Sequence, residues 1–248
     1  LHSCRSWRLI DTDLSSPPYT SAADEAMVPA RQKNPLPNTL HFYRRDRPTV
    51  SLGYFQGVEE SVNTQVVESK DIQLVRRFSG GSAIYTDQDQ LIYSVILSKE
   101  FLPEDANEIY QKVCSAVIKG IAILGLEAEF KPVNDILING RKVSGSAQKK
   151  ERDVVIQHGT VIMDADLDLM FEVLKPGEKQ KGKDDMTSLS HELGRKVEAA
   201  EVKEALIKGF SEVFSATIRK GMLTRYEENC IDKLVEGKYG SEKYTLSR

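Results

Sequence analysis

A chain of 248 residues with 40% hydrophobic content is long enough to close one large α/β domain around a substantial core. Its 34 Lys and Arg against 37 Asp and Glu leave a net charge of −3, and a pI near 5.9 gives no broad basic field, which disfavours nucleic acid as a main partner. Cys4, Cys114 and Cys230 show no CxxC spacing, which argues against a disulfide framework or a zinc site and makes a reducing cytoplasm the expected compartment; no apolar run reaches membrane-spanning length.

Trp7 to Ile10 reads as a first strand, and Ser21 to Ala30 as a first helix behind Pro17-Pro18. Four further segments read as strands: Thr39 to Tyr43, Thr49 to Gly53, Gln73 to Arg77 and Gln90 to Leu97. Each is rich in β-branched and aromatic residues and bounded by Gly, Pro or Asp. Residues 105 to 124 give the clearest helix, with Ile109, Val113, Val117, Ile121 and Leu124 on one face and Gly125 ready to end it. Strands follow near 134 to 138, 142 to 147 and 154 to 163, then helices near 166 to 174, 200 to 216 and 224 to 236. Strand runs mixed with covering helices imply an α/β sheet domain without an obvious internal boundary.

Within 76 to 85, RRFSGGSAIY, paired arginines feed a Ser-Gly-Gly turn followed by an apolar run. Glycines let backbone N–H groups approach a ligand closely, and Arg76 and Arg77 offer forked donors to phosphate or carboxylate oxygens. Taken alone, such a loop is more often a plain turn between strands. Residues 131 to 150, KPVNDILINGRKVSGSAQKK, read as a strand, a tight turn at Asn139-Gly140, and a return strand carrying Lys142. A hairpin lysine commonly faces solvent, but the small residues from Val143 to Ala147 would let something pack closely against this strand. Residues 175 to 186, KPGEKQKGKDDM, have neither periodicity nor apolar content and read as a surface loop.

The order and spacing of RRFSGGSAIY, NDILINGRKVSGSAQ and QHGTVIMDADLDLM at 157 to 170 resemble the lipoate-protein ligase family, which shares its catalytic fold with biotin ligases and octanoyltransferases. ADEAM at 23 to 27, HFYRRDRPTVSLGYFQ at 41 to 56 and EGKYGSEKY at 236 to 244 extend the resemblance over nearly the whole chain. It implies an α/β (α+β) fold with one mixed sheet covered by helices, of the class II aminoacyl-tRNA synthetase and biotin-protein ligase type, as a single catalytic domain over 1–248. Ligases of the family that act alone carry a smaller C-terminal accessory domain, and this chain ends where that domain would begin. A separate accessory subunit is therefore expected.

What the resemblance implies about chemistry is ATP-dependent activation of lipoate or octanoate to an acyl-adenylate, followed by transfer to a lysine of a lipoyl-domain acceptor. Acceptors of this kind are the 2-oxoacid dehydrogenase E2 and the glycine cleavage H protein. By match to the family, Lys142 bridges the acid and the α-phosphate. Arg77, Gly80 and Gly81 with the backbone of Ser82, Ala83, Ile84 and Tyr85 hold the nucleotide, and Asp135 positions Mg²⁺ or the incoming amine. His158 and Ala147 fall beside the acyl channel, whose remaining wall comes from the apolar residues of 154 to 163. The basic loop at 175 to 186 could dock an acidic lipoyl domain.

Several positions depart from the family pattern: Ser82 stands where many relatives have a third glycine, Thr86 where they have histidine, and Gln88-Asp89 replace a residue and a glycine. The alternative is an ATP-independent octanoyl or lipoyl transferase of the same fold. In known branches it carries the acyl group on a cysteine, either after a proline where this chain has Lys175-Pro176-Gly177 or before the lysine motif where it has Lys131 to Asp135. Neither place holds sulfur. A non-catalytic lipoate-binding module of the same fold is a further alternative, and a biotin ligase is disfavoured because RRFSGG replaces the usual GRGRxGR-like loop.

Overall fold

In the computed structural model, the described residues are 6–175 and 182–248. Most of the basic loop, 176 to 181, lies outside them. Eleven strands are present among the described residues: β1 (Ser6–Ser15), β2 (Thr39–Arg45), β3 (Thr49–Leu52), β4 (Gln73–Arg76), β5 (Ile84–Thr86), β6 (Gln90–Ser98), β7 (Glu129–Lys131), β8 (Asp135–Ile138), β9 (Arg141–Glu151), β10 (Val154–Ile162) and β11 (Thr217–Lys220). Eight of them form one mixed sheet in the order β11-β1-β2-β6-β10-β9-β8-β7, and β4-β3-β5 form a small second sheet. β1 runs parallel to both β2 and β11, and the rest of the large sheet is antiparallel. The mixed sheet covered by helices is the expected fold class.

Five longer helices cover the sheets: α1 (Pro17–Lys33), α2 (Ala106–Ile123), α3 (Leu167–Val173), α4 (Ala199–Phe214) and α5 (Arg225–Leu234). The first helix is longer than its predicted span at both ends; at its start, Pro17 and Pro18 occupy the first turn, where a missing N–H costs nothing. Helix α2 starts where the Asp105 carboxylate accepts from the N–H groups of Asn107 and Glu108, and it buries Ile109, Val113, Val117 and Ile121 as the spacing predicts. With α4 it packs on one face of the large sheet, over Leu91, Tyr93, Ile136, Ile138 and Val143. Helices α1 and α5 cover part of the opposite face, against Ile96, Val154 and Ile156. The small sheet and α3 make a separate apolar cluster around Val50, Leu52, Met170 and Val173. An open volume lies between that cluster and the uncovered part of the large sheet.

The hairpin between β8 and β9 turns at Asn139 and Gly140, both with positive φ (51° and 76°), as a type I′ turn requires. Just past it, the ladder slips: Leu137 pairs with Lys142, whereas Ile136 pairs with Ser144, leaving Val143 as an extra residue. Such a bulge reverses the alternation of side chains along β9. Val143 joins the core beneath α2, and Lys142 emerges on the face that also carries Gly145 and Ala147.

Helices α2 and α4 cross at glycines. A β-carbon on Gly209 would lie 2.2 Å from the Ala116 carbonyl oxygen and 2.6 Å from the Gly120 nitrogen, and one on Gly120 would lie 2.7 Å from Leu206 Cδ2. Both neighbours at Gly209 are main chain and cannot yield without separating the helices. Gly209→Ala is therefore expected to lower stability by about 1–3 kcal/mol in chemical denaturation, the range typical of overpacking. An unchanged denaturation midpoint would contradict this crossing.

Candidate functional site

The open volume is a cavity of about 990 Å³, within the range of small-molecule sites. Its floor is the large sheet, through Ile92, Gly145, Ala147, His158, Thr160 and Ile162, and its far wall includes Arg77 and the stretch from Gly81 to Thr86. Met170, Phe171 and Leu174 add apolar surface from α3 and its end. Thus the structure brings the three motifs together at one place, although they are separated by up to about 80 residues in the chain.

Lys142 reaches this cavity because of the bulge. Its Nζ lies 2.6 Å from Asp135 Oδ1, and the two side chains are 28% and 21% exposed, so the pair is open to a ligand without being free in solvent. The stem of Lys142 lies across Gly145, where a β-carbon would sit 2.8 Å from both Cε and Nζ. Gly145 therefore acts as a groove for the lysine. The strand is also pinned from outside: Thr187 N–H donates to the Lys142 carbonyl at 2.9 Å, and Met186, part of the segment expected to be structureless, bridges to Lys142 and lines the cavity.

Arg77 is placed differently from a residue that grips a ligand with its own fork. Its guanidinium is nearly buried and donates to the main-chain carbonyls of Ser51 (2.7 Å), Gly80 (3.2 and 2.8 Å) and Ser82 (2.8 Å). Burial pulls its pKa down to about 10. Arg76 is wholly buried and likewise holds carbonyls, those of Gly53, Gln56 and Thr245 among them, so it faces no ligand.

His158 sits in the floor with Nδ1 3.0 Å from Asp24 Oδ2 and Nε2 2.7 Å from Ser79 Oγ. Asp24, in the ADEAM segment, is the residue that sequence reasoning left without a role. It is 1% exposed and also accepts from His41 Nδ1 (3.0 Å), Tyr43 Oη (3.0 Å) and Ser94 Oγ (2.8 Å). Burial pushes its carboxyl pKa upward, but the hydrogen bonds from His158 and His41 outweigh this and hold it well below the usual carboxylate range. An acidic residue inside an otherwise small, apolar helical stretch was the available signal, since a buried charge demands partners. The distances across Ser79, His158 and Asp24 resemble those of a hydrolytic triad. Ser79, however, is 1% exposed and is not part of the cavity wall, so the array braces the glycine loop against the floor.

The residues do not fit the expected Mg²⁺. The nearer oxygen of Asp135 already faces an ammonium, which repels a cation, and among the described residues no group of three His, Cys, Asp or Glu side chains is arranged to hold a metal ion. Nor does a thiol reach the site among those residues. Cys114 is fully buried beneath the sheet, facing Ser146 Oγ at 3.9 Å, and burial pushes it up to about 11; Cys230 lies on α5, packed against the α1 cluster.

Residues 16–211 match the family model of the lipoyl protein ligase A/B catalytic domain. Octanoyltransferase LipM of Symbiobacterium thermophilum is 32% identical over 271 aligned residues, and that of Bacillus subtilis 28% over 274; each alignment covers 98% of both chains. Among solved structures, the bi-partite lipoate protein ligase of Thermoplasma acidophilum, described with its E2 lipoyl domain, superposes with a TM-score of 0.88 at 30% identity, covering 98% of this chain and 96% of its own. A lipoate-protein ligase A bound with ATP gives 0.87 at 28% identity, covering 98% of each chain. The octanoyltransferases overturn the expectation of an ATP-dependent ligase that forms an acyl-adenylate, and favour the transferase alternative. A matching catalytic-domain model over most of the chain and relatives aligned along its whole length make this protein a member of the lipoyl protein ligase A/B catalytic-domain family.

Proposed function

We propose that this protein is an ATP-independent acyltransferase that moves an octanoyl or lipoyl group from a carrier thioester to the side-chain amine of a lysine on a lipoyl domain. The observation that carries the reading is the Lys142 ammonium at the wall of a cavity with an apolar flank, in a chain whose full-length relatives are octanoyltransferases. A thioester is already activated, so the site needs only to align it and stabilise charge at its carbonyl oxygen.

Transfer proceeds by direct aminolysis. The acceptor amine attacks the acyl carbon, negative charge develops on the carbonyl oxygen, and the Lys142 ammonium stabilises it. The C–S bond then breaks, an amide forms, and the proton lost by the amine goes to the departing thiolate. Asp135 has a dual place in this scheme: it holds Lys142 in the wall, and its second oxygen is available to orient the incoming amine. The wall formed by Ala147, Ile162, Met170, Phe171 and Leu174 supplies the dry slot for the acyl tail.

The test is to mix the protein with an octanoyl-carrier thioester and a lipoyl domain, without ATP, and to follow the mass gain of the domain. Octanoylation of the acceptor lysine is expected, and Lys142→Ala is expected to slow it on the order of 10²–10³-fold while the melting temperature stays in place. Modification only from free octanoate with ATP would overturn the reading. Gly145→Ala, which places a β-carbon against the lysine stem, is expected to lower the transfer rate on the order of 10²-fold through displacement of the ammonium. A fully active Gly145→Ala enzyme would show that Lys142 works from another position.

A further inference from the structure

Lys142 supplies one donor to an oxyanion, whereas sites for acyl transfer commonly use two or more. The glycine loop offers the missing ones through an indirect device. Arg77 draws the carbonyls of Gly80 and Ser82 onto its guanidinium at 2.8 Å each through Nη2, with Nε adding a second bond to Gly80 at 3.2 Å. Each peptide unit is planar and trans, so the N–H that follows a carbonyl points the opposite way. Capturing carbonyls 80 and 82 therefore aims the N–H groups of Gly81 and Ala83 away from the arginine.

Both of those residues line the cavity. Among the described residues, neither N–H has a hydrogen-bond partner, whereas the neighbouring Arg77 N–H donates to Leu52 and the Tyr54 N–H to Ser79. The loop can follow this path because Gly81 has φ 97°, a region disfavoured for other residues, and because a β-carbon there would meet Arg77 Nη2 at 2.8 Å. The same hypothetical atom lies 3.9 Å from Ala147 Cβ, which places the loop within contact of the strand that carries Lys142. Unpaired N–H groups converging in such a turn form an anion-binding concavity.

We propose that Arg77 is a positioning residue that never touches the substrate: by holding two carbonyls it presents the Gly81 and Ala83 N–H groups to the acyl oxygen, facing the Lys142 ammonium. This rests on the acyl-transfer reading and identifies the rest of its oxyanion site. A lysine at position 77 keeps the charge but lacks the fork that spans both carbonyls.

The experiment uses Arg77→Lys with an octanoyl-carrier thioester and with a non-transferable octanoyl ketone analogue carrying ¹³C at the carbonyl. The expected result is a fall in kcat on the order of 10²-fold at unchanged KM for the donor, together with a smaller downshift of the bound carbonyl stretch than in the unmodified protein. Unchanged kcat and carbonyl frequency would overturn the proposal, as would a rise in KM alone, which marks a direct substrate ligand. Should Arg77→Lys fail to fold, the unmodified protein decides: analogue binding is expected to shift the ¹⁵N-amide resonances of Gly81 and Ala83 downfield, and unmoved resonances would overturn it. Absence of any thioester-dependent transfer by the unmodified protein would instead count against the function proposed above, which separates the two failures.

Discussion

One extra residue in β9 decides which side of the sheet Lys142 serves. With regular alternation, Lys142 would share a face with Ser144 and Ser146 and would have to bury an ammonium beneath α2, at a cost of several kcal/mol. The bulge at Val143 exchanges the two faces, so that a hydrophobic residue enters the core and the cation enters the cavity. Everything proposed about chemistry depends on this reversal: the ion pair with Asp135, the lysine stem seated over Gly145, and the nearness of the glycine loop all lie on the face that the bulge gives to Lys142.

Around this centre the protein uses charged side chains as internal struts. Adjacent arginines in the motif that looked most like a direct anion site both hold main-chain carbonyls, Arg76 tying the turn at 53 to 56 to Thr245 and Arg77 tying Ser51 to the glycine loop. Asp24, on α1 at the edge of the cavity, performs the complementary task, gathering donors from β2, β6 and β10. Buried charges placed this way are costly to mispair, which favours a single arrangement of the loop and floor. A rigid wall is useful where the reaction depends on alignment more than on an enzyme nucleophile.

The sequence made the local part of this legible. Asn139-Gly140 announced its turn, the spacing of Ile109, Val113, Val117 and Ile121 announced α2, and the residues of the three motifs do meet at one cavity. What escaped was information held between distant segments. Asp24 has a role only through partners 17 to 134 positions away, and β11, with the polar sequence Thr-Ile-Arg-Lys, is a strand because β1 offers it an edge. The bulge follows from pairing between β8 and β9, which residue types alone do not record. Nor do residue types record that the Arg77 guanidinium donates to carbonyls of its own chain, since such a group satisfies these as readily as a foreign anion.

The central claim is that an acyl carbonyl sits between Lys142 and the glycine loop. A crystal structure with a non-transferable octanoyl-carrier analogue, sulfur replaced by methylene, tests it most directly. The carbonyl oxygen is expected within hydrogen-bond distance of Lys142 Nζ and the tail along the wall formed by Ala147, Thr160 and Ile162. An acyl group lodged elsewhere, with Lys142 still engaged only by Asp135, would contradict it.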